Sequence, residues 1–394
     1  MAGPSRLLKR WCRPLLPVSS VMARSWLDRK TTGKARPARL RAESPFARKR
    51  KMEAPLARLP VPLTAWICAV LVPLGPIAIT AARGEGSPSL RLEAKIPLGH
   101  VSGRIDHMAV DLPRQRLFVA ELGNGTVGVI DLRAKKGLQT LRGFREPQGV
   151  GYVGSTDTLY VASGGDGSLR VFHGPGLEEG QAVKLGDDAD NVRIQPDEKR
   201  VFVGHGRGAL AILDAENHRK LADVELPAHP ESFRLESGGE RIFVNLPDDR
   251  SVVVVDRNSR RIVARWPTPG AGGNFPMALD EQRQRVLVVF RQPAKLAALS
   301  MADGTEAAAA ETCGDSDDVF LDDKRNRVYV SCGDGFVDVF EVADAGFRRT
   351  DHIATVPGAR TSLFVPELDR LFLAVRASRG EPAAIWVYAP ATAQ

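Results

Sequence analysis

Acidic and amide side chains recur along this 394-residue chain at a spacing close to 42 residues. Each position is found by counting back from a hydrophobic segment that recurs in every copy. The position two residues before that segment holds Asp106, Gln148, Asp190, Glu231, Phe275, Asp317 and, in the seventh copy, Arg360 or Thr361. The position after it adds His107, Asn191 and Asp318, and Asn274 stands beside Phe275. If the repeats fold as a ring, these residues meet at one place although they lie far apart in sequence.

Carboxylates that converge repel one another, so the group must be protonated, separated by water or bound to a cation. Oxygen ligands suit Ca²⁺ or Mg²⁺, which would be held by Asp106, Asp190, Glu231 and Asp317. His205 and His229 belong to loops on the same face and would favour Zn²⁺ or Cu²⁺ instead. A water-filled polar entrance and a catalytic centre are the other interpretations of these residues.

Other chemical motifs are absent from the sequence or stand in the wrong context. Residues 123–128 match G-x-G-x-x-G, but they lead from a hairpin into a strand rather than into the helix that a dinucleotide site requires. The sequence contains no G-x-x-x-x-G-K-[ST], H-E-x-x-H, G-x-S-x-G or C-x-x-C-H. NTPase, zincin, α/β-hydrolase and c-type haem functions therefore have no motif support.

The charge distribution argues against nucleic-acid binding. The overall net charge is +8, but residues 1–60 carry +13 and the remaining chain carries −5. Aromatic residues make up only 6% of the chain and mostly fall in hydrophobic runs, so stacking platforms for bases are not evident.

The elements that must position the candidate residues are seven copies of one unit. A hydrophobic anchor begins at 117, 159, 201, 242, 286, 328 and 371, at intervals of 41 to 44 residues. Apolar runs precede and follow each anchor, and turns such as Gly123-Asn-Gly125 supply the positive φ of a tight hairpin. Four antiparallel strands in about 42 residues are typical of one β-propeller blade.

The seventh copy has only three apolar runs before the chain ends. Residues 89–98 precede the first copy and can supply the missing outer strand, which would close the ring and leave no open edge. The sequence therefore predicts an all-β fold, a seven-bladed β-propeller over 89–390, followed by a short tail over 391–394.

Two cysteines flank the inner strands of the sixth copy. Cys313 precedes its first strand and Cys332 follows its second, so strand alternation places both on one face of the ring. In an oxidising compartment they could form a disulfide. The alternative is a pair of free, partly buried thiols.

The anchors and turns resemble those of the YVTN-repeat β-propeller family, the YncE-like proteins of bacteria. The resemblance rests on LYVAS at 159–163, VYVS at 328–331, their glycine turns and the V-x-V-[IVF]-D strands, and covers 89–390. Segments such as IDHMAVD at 105–111 are similar to an exported subgroup. The resemblance implies the propeller fold, but it transfers little about function because this fold hosts many activities.

The amino-terminal region predicts export. Residues 61–82 form an uncharged run of 22 residues with a basic flank before it and small residues at its end. We interpret 61–83 as a signal peptide or, alternatively, a single membrane anchor, with a linker over 84–88. Residues 1–60 form a basic leader, a transit-type peptide or a misassigned extension, since Met52 offers a closer start.

Three hypotheses for function follow from the sequence. The first is an exported, monomeric binding module that takes a small ligand or a protein partner on the face where the candidate residues meet. The second is an enzyme at the same place, either a metal-dependent lactonase-like hydrolase or a quinone-cofactor oxidoreductase. The third is a structural module of the cell envelope.

Overall fold

The computed structural model describes residues 88–391. The predicted leader, the signal or anchor segment and most of the linker lie outside the described residues, as do the last three residues of the tail. Residues 88–391 form seven four-stranded antiparallel sheets, which confirms the predicted seven-bladed β-propeller. Their helical content is two short 3-10 turns, Leu122–Asn124 and Pro366–Leu368.

Strands are numbered from the amino terminus, and each of the first four blades uses four consecutive strands. Blade 1 contains β2 Met108–Asp111, β3 Arg116–Glu121, β4 Thr126–Asp131 and β5 Lys136–Arg142. Blade 2 contains β6 Pro147–Val153, β7 Thr158–Ser163, β8 Ser168–His173 and β9 Glu178–Lys184. Blade 3 contains β10 Val192–Ile194, β11 Arg200–His205, β12 Ala209–Asp214 and β13 Lys220–Glu225. Blade 4 contains β14 Ser232–Leu235, β15 Arg241–Leu246, β16 Ser251–Asp256 and β17 Arg261–Pro267.

The next two blades follow the same order, and the seventh combines both ends of the domain. Blade 5 contains β18 Gly272–Asp280, β19 Arg285–Gln292, β20 Ala294–Ser300 and β21 Glu306–Glu311. Blade 6 contains β22 Ser316–Asp322, β23 Arg327–Cys332, β24 Phe336–Ala343 and β25 Gly346–Ala354. Blade 7 contains β26 Ser362–Val365, β27 Arg370–Val375, β28 Ala384–Pro390 and β1 Leu90–Pro97.

The amino-terminal strand closes the ring as predicted. Strand β1 pairs antiparallel with β28, from Leu90 opposite Pro390 to Pro97 opposite Ala384. The main-chain N–H of Leu98 also donates to Ala383 O at 2.9 Å. Because the last blade takes its outer strand from the start of the domain, it has four strands like the other six blades, and β28 is not left as its edge.

The hydrophobic core lies between neighbouring blades. The two middle strands of a blade contact another blade on each face, so they read as continuous apolar runs rather than alternating ones. Residues 117–120 illustrate this, since all four side chains are fully buried. The outer strands are solvent-facing, and six of the seven residues of β5 are exposed.

The predicted glycine turns hold the hairpins in place. Gly125, Gly167 and Gly335, the last residues of three G-x-G turns, all have positive φ. A Cβ on Gly167 would collide with the carbonyl oxygen of Gly186. The positive φ and the close backbone approach both require glycine here.

Arginine clamps join neighbouring blades on the face opposite the candidate residues. Arg325 pairs with Asp322 of its own blade at 3.0 Å and with Asp369 of the next blade at 2.7 Å. The same Asp-x-x-Arg pattern occurs at 111–114 and 280–283. These clamps fix the spacing of the blades, and hence of the residues they bring to the channel.

Cys313 and Cys332 are joined in a disulfide, with their Cα atoms 5.8 Å apart. The bond ties the loop before β22 to the end of β23, so the structure adopts the first of the two alternatives that the sequence left open. Among residues 88–391, no helix has the length and apolar character needed to cross a membrane.

Candidate functional site

The inner strands of the blades surround a central channel, and their leading loops form its mouth. A cavity of about 160 Å³ lies at this mouth. Nine of the ten residues that the sequence singled out line this cavity: Asp106, His107, Gln148, Asp190, Asn191, Glu231, Asp317, Asp318 and Arg360. The repeat register therefore brings together side chains from six blades. In blade 7 the mouth position belongs to Arg360, because Thr361 is buried and donates its hydroxyl to Ile105 O at 3.3 Å.

Asn274 is the exception. Its side chain is fully buried and donates from Nδ2 to Ser251 O at 2.9 Å, away from the cavity. Phe275, which the repeat register itself places at the mouth, lines the cavity in this blade. Asn274 stands one position before it, and the expectation that Asn274 is a mouth residue was wrong.

Sequence reasoning missed several residues of the cavity wall. They are Arg104, Asp188, Arg193, Arg234 and Met277. The sequence could have identified Arg193 and Arg234, because each stands two residues after a mouth residue of the same blade, Asn191 or Ser232. Strand alternation points such residues to the same side.

The two histidines proposed for Zn²⁺ or Cu²⁺ do not meet. His229 lines the cavity, with its Nδ1 2.7 Å from Gly206 O. His205 is buried at the end of β11, where its Nε2 lies 3.0 Å from Asp223 Oδ1, and it does not line the cavity. The two imidazoles therefore do not form a shared ligand set.

Arginine side chains balance part of the negative charge of the acidic ring. Asp106 accepts a hydrogen bond from Arg104 at 3.0 Å. Asp317 pairs with Arg291 at 2.6 Å and with Arg360 at 3.2 Å. Within residues 88–391, no three His, Cys, Asp or Glu side chains are arranged to hold a metal ion. The predicted Ca²⁺ or Mg²⁺ site of Asp106, Asp190, Glu231 and Asp317 is thus not supported by the geometry.

Burial raises the pKa of three carboxyls of the ring, including the arginine-paired Asp106. Burial, and next the charge of Asp317, raise the pKa of Asp106 to about 7, against the opposing effect of Arg104. Burial, followed by the charges of Asp106 and Glu231, raises the pKa of Asp190 well above its usual range. Burial also raises the pKa of Glu231, although the charge of His229 opposes it. Part of the ring is therefore uncharged near neutral pH.

His107 stands between two of these carboxyls. Burial, and next the charge of Arg193, lower the pKa of His107 to about 3, so its imidazole is neutral at physiological pH. His107 Nε2 lies 3.7 Å from Asp190 Oδ1 and 3.9 Å from Asp106 Oδ1. Both distances are too long for a hydrogen bond. Asp190 is only 8% exposed, and its Oδ1 has no hydrogen-bond partner among the described residues.

A second groove continues from the mouth across blades 4 and 5. It has a volume of about 370 Å³ and shares His229, Glu231 and Phe275 with the cavity. The guanidinium of Arg291 lies 3.6 Å from the centre of the Phe275 ring, a cation–π contact that forms part of the groove wall. The cavity and the groove can therefore be bridged by one molecule.

Comparisons with known proteins show the fold. No family model matches this chain, and no curated protein matches it in sequence. A chain of hydrazine synthase from Kuenenia stuttgartiensis matches with a TM-score of 0.58 at 16% identity, covering 70% of this chain and 94% of that one. A chain in a crystal structure of the mitotic checkpoint complex matches with a TM-score of 0.62 at 12% identity, covering 82% and 99%. Such similarities establish the β-propeller alone, and the resemblance to the YVTN-repeat family stays a prediction.

Proposed function

We propose that this chain is an exported binding module that holds a small polar molecule in the channel mouth. The observation that carries the proposal concerns Asp190, whose side chain lines the cavity. Its buried Oδ1 has no hydrogen-bond partner among the described residues. Leaving a buried polar atom unsatisfied costs about 1–3 kcal/mol. A bound polar group would satisfy this atom.

The surroundings of Asp190 suit one polar ligand atom. A hydroxyl or amine placed between Asp190 Oδ1 and His107 Nε2, which lie 3.7 Å apart, would be within hydrogen-bond distance of both. The neutral imidazole can donate or accept, and the carboxyl oxygen can accept. The groove over Phe275 would hold any part of the ligand too large for the cavity.

Binding is tested by calorimetry and thermal shift on the purified protein with a panel of polyols, sugars, amines, amino acids and carboxylates. We expect one class to raise the melting temperature in proportion to its concentration. Asp190→Asn should weaken that ligand at least tenfold, which corresponds to about 1.4 kcal/mol. Asp187→Asn removes an exposed carboxylate from the same loop, outside the cavity wall, and should change affinity less than twofold.

Two results would favour a different function. A protein recovered by crosslinking, with no small molecule bound by the panel, favours a protein-partner module, a role that propellers commonly serve. If neither a partner nor a small molecule is found, the structural envelope module becomes the better explanation.

A hydrolase is the second candidate, favoured by one observation. The pKa of Asp106 lies at about 7, where a general acid or base works best at neutral pH. Hydrolysis of lactones or esters that Asp106→Asn abolishes would establish it. The quinone alternative has less support, because the cavity wall is mostly charged and only Phe275 and Met277 offer apolar surface.

Export is part of the proposal. The uncharged run 61–82 and the disulfide between Cys313 and Cys332 support it, since disulfides persist in oxidising compartments. The resemblance to the exported YncE-like proteins is consistent with this assignment. The mature protein isolated from the extracytoplasmic fraction should begin near Arg83. Cytoplasmic protein that retains Met52 would contradict export.

A further inference from the structure

Two arginines lie one step deeper in the channel than the acidic ring. Arg193 is the central residue of β10 and Arg234 the third residue of β14, on the inner strands of neighbouring blades. Each follows a mouth residue, Asn191 or Ser232, by two positions and therefore points into the channel as well. Both side chains line the same cavity.

Neither guanidinium forms an ion pair with a carboxylate in the described part of the chain. Arg193 donates to Val192 O at 3.0 Å and to Asn191 Oδ1 at 2.5 Å, whereas its Nε is buried without an acceptor among residues 88–391. Arg234 donates from Nε to Met277 O at 2.8 Å. An arginine has five N–H donors in a planar fork, so most of the donors of this pair are not used by the protein.

The two side chains also repel each other. Burial, and next the charge of Arg234, lower the pKa of Arg193 to about 9. Burial lowers the pKa of Arg234, and only Asp318 opposes it. Burial in turn raises the pKa of Asp318 well above its usual range. Two neighbouring, partly buried cations without an ion-pair partner among the described residues are costly, and an anion between them would remove that cost.

We propose that Arg193 and Arg234 bind a small oxyanion, a carboxylate or a phosphate, deep in the channel. This inference rests on the proposed function, because the anion is the inner part of the polar ligand held at the mouth. The planar forks of two arginines match the oxygens of either group, and such charge-assisted hydrogen bonds are strong. The side chains of Asn191, Ser232 and His107 complete the polar wall above them.

The acidic ring does not prevent entry of an anion. Asp106 and Asp317 are paired with arginines, and burial raises the pKa of Asp190 well above its usual range and that of Asp106 to about 7, which reduces the negative charge of the ring. The side chains of the ring therefore form hydrogen bonds around the ligand. The positive charge of Arg193 and Arg234 lies deeper in the channel.

The test uses inorganic phosphate, acetate and succinate as probes, each at constant ionic strength set with sodium chloride. Calorimetry and thermal shift should show saturable binding of phosphate or of the carboxylates above the chloride baseline. Arg193→Gln and Arg234→Gln should each weaken the anion at least tenfold. Arg207→Gln is the matched control, because Arg207 is an exposed arginine that lies outside the cavity wall. It should change affinity less than threefold, and comparison of phosphate with acetate distinguishes the two oxyanions.

A loss of binding caused by misfolding is recognised from the variants without anion. Removing one of two repelling buried cations should leave the melting temperature equal to that of the parent or higher. If Arg193→Gln does not fold, Arg234→Gln and the parent protein carry the test. Anions that stabilise no more than chloride, or that bind the glutamine variants equally well, would overturn the inference. If uncharged polyols or amines still bind in an Asp190-dependent manner, the proposed function survives that result; if no probe binds, both fail.

Discussion

Deletion of residues 89–98 is expected to abolish cooperative folding of the propeller or to lower its free energy of unfolding severely. The deletion removes β1, the outer strand of blade 7, and exposes the fully buried Ile385 and its neighbour Val387 on β28. It also reopens the ring at the junction of the first and last blades. Chemical denaturation of the purified protein, followed by fluorescence, measures the effect.

Point substitutions in the same strand give the matched comparison. Ile96 is only 1% exposed, and Ile96→Ala should cost about 2–5 kcal/mol. Leu92 is 40% exposed on the same strand, so Leu92→Ala should cost less than about 1 kcal/mol. A deletion variant that unfolds with the parent's midpoint and slope would show that β1 does not close the ring.

Asp190→Asn is expected to stabilise the protein at about pH 8 by at least about 1.4 kcal/mol, the free energy that corresponds to one pKa unit, because it removes a charge that burial and the neighbouring carboxylates disfavour. The pKa of Asp190 is raised in the folded state, so the folded chain binds the proton more tightly than the unfolded chain does. The stability of the parent therefore falls as pH rises from about 4 through the folded-state pKa. Asparagine cannot ionise, and the advantage of the variant should shrink towards zero near pH 4.

Asp317→Asn is the control with the opposite sign. Asp317 is held by Arg291 and Arg360, so its removal leaves those partly buried cations without their partner and should destabilise the protein at pH 8. His107, with a lowered pKa, affects the pH dependence of parent and variants alike and largely cancels in their difference. Denaturation curves at several pH values provide the measurement. A calcium-dependent rise in stability that Asp190→Asn abolishes would instead restore the cation interpretation.

Most of the fold could be predicted from the sequence because each blade is built from local information. The regular interval between anchors fixes the number of blades, and the glycine turns fix the hairpins. The incomplete seventh copy predicts that the first strand closes the ring. The same register predicts the mouth, since alternation along each inner strand decides which residues face the channel.

Predictions failed where a local irregularity or a long-range contact decides the outcome. Asn274, one position before the register position of Phe275, donates its side-chain amide to Ser251 O instead of facing the cavity. Arg291, which neutralises Asp317, comes from β19 of the preceding blade, and nothing in its immediate sequence identifies that partner.

The amino-acid sequence determined the architecture and most of the residues that form the channel mouth, because hydrophobic periodicity and repeat length can be read directly from the sequence. Only the tertiary structure decided which carboxyls are compensated, that His107 is neutral and that Arg193 and Arg234 form no ion pair within residues 88–391. Those properties depend on distances of a few ångströms between segments about 42 residues apart, and on the depth at which each charge is removed from water. Small shifts in blade packing change both quantities without changing the repeat pattern, which is why the pattern does not encode them.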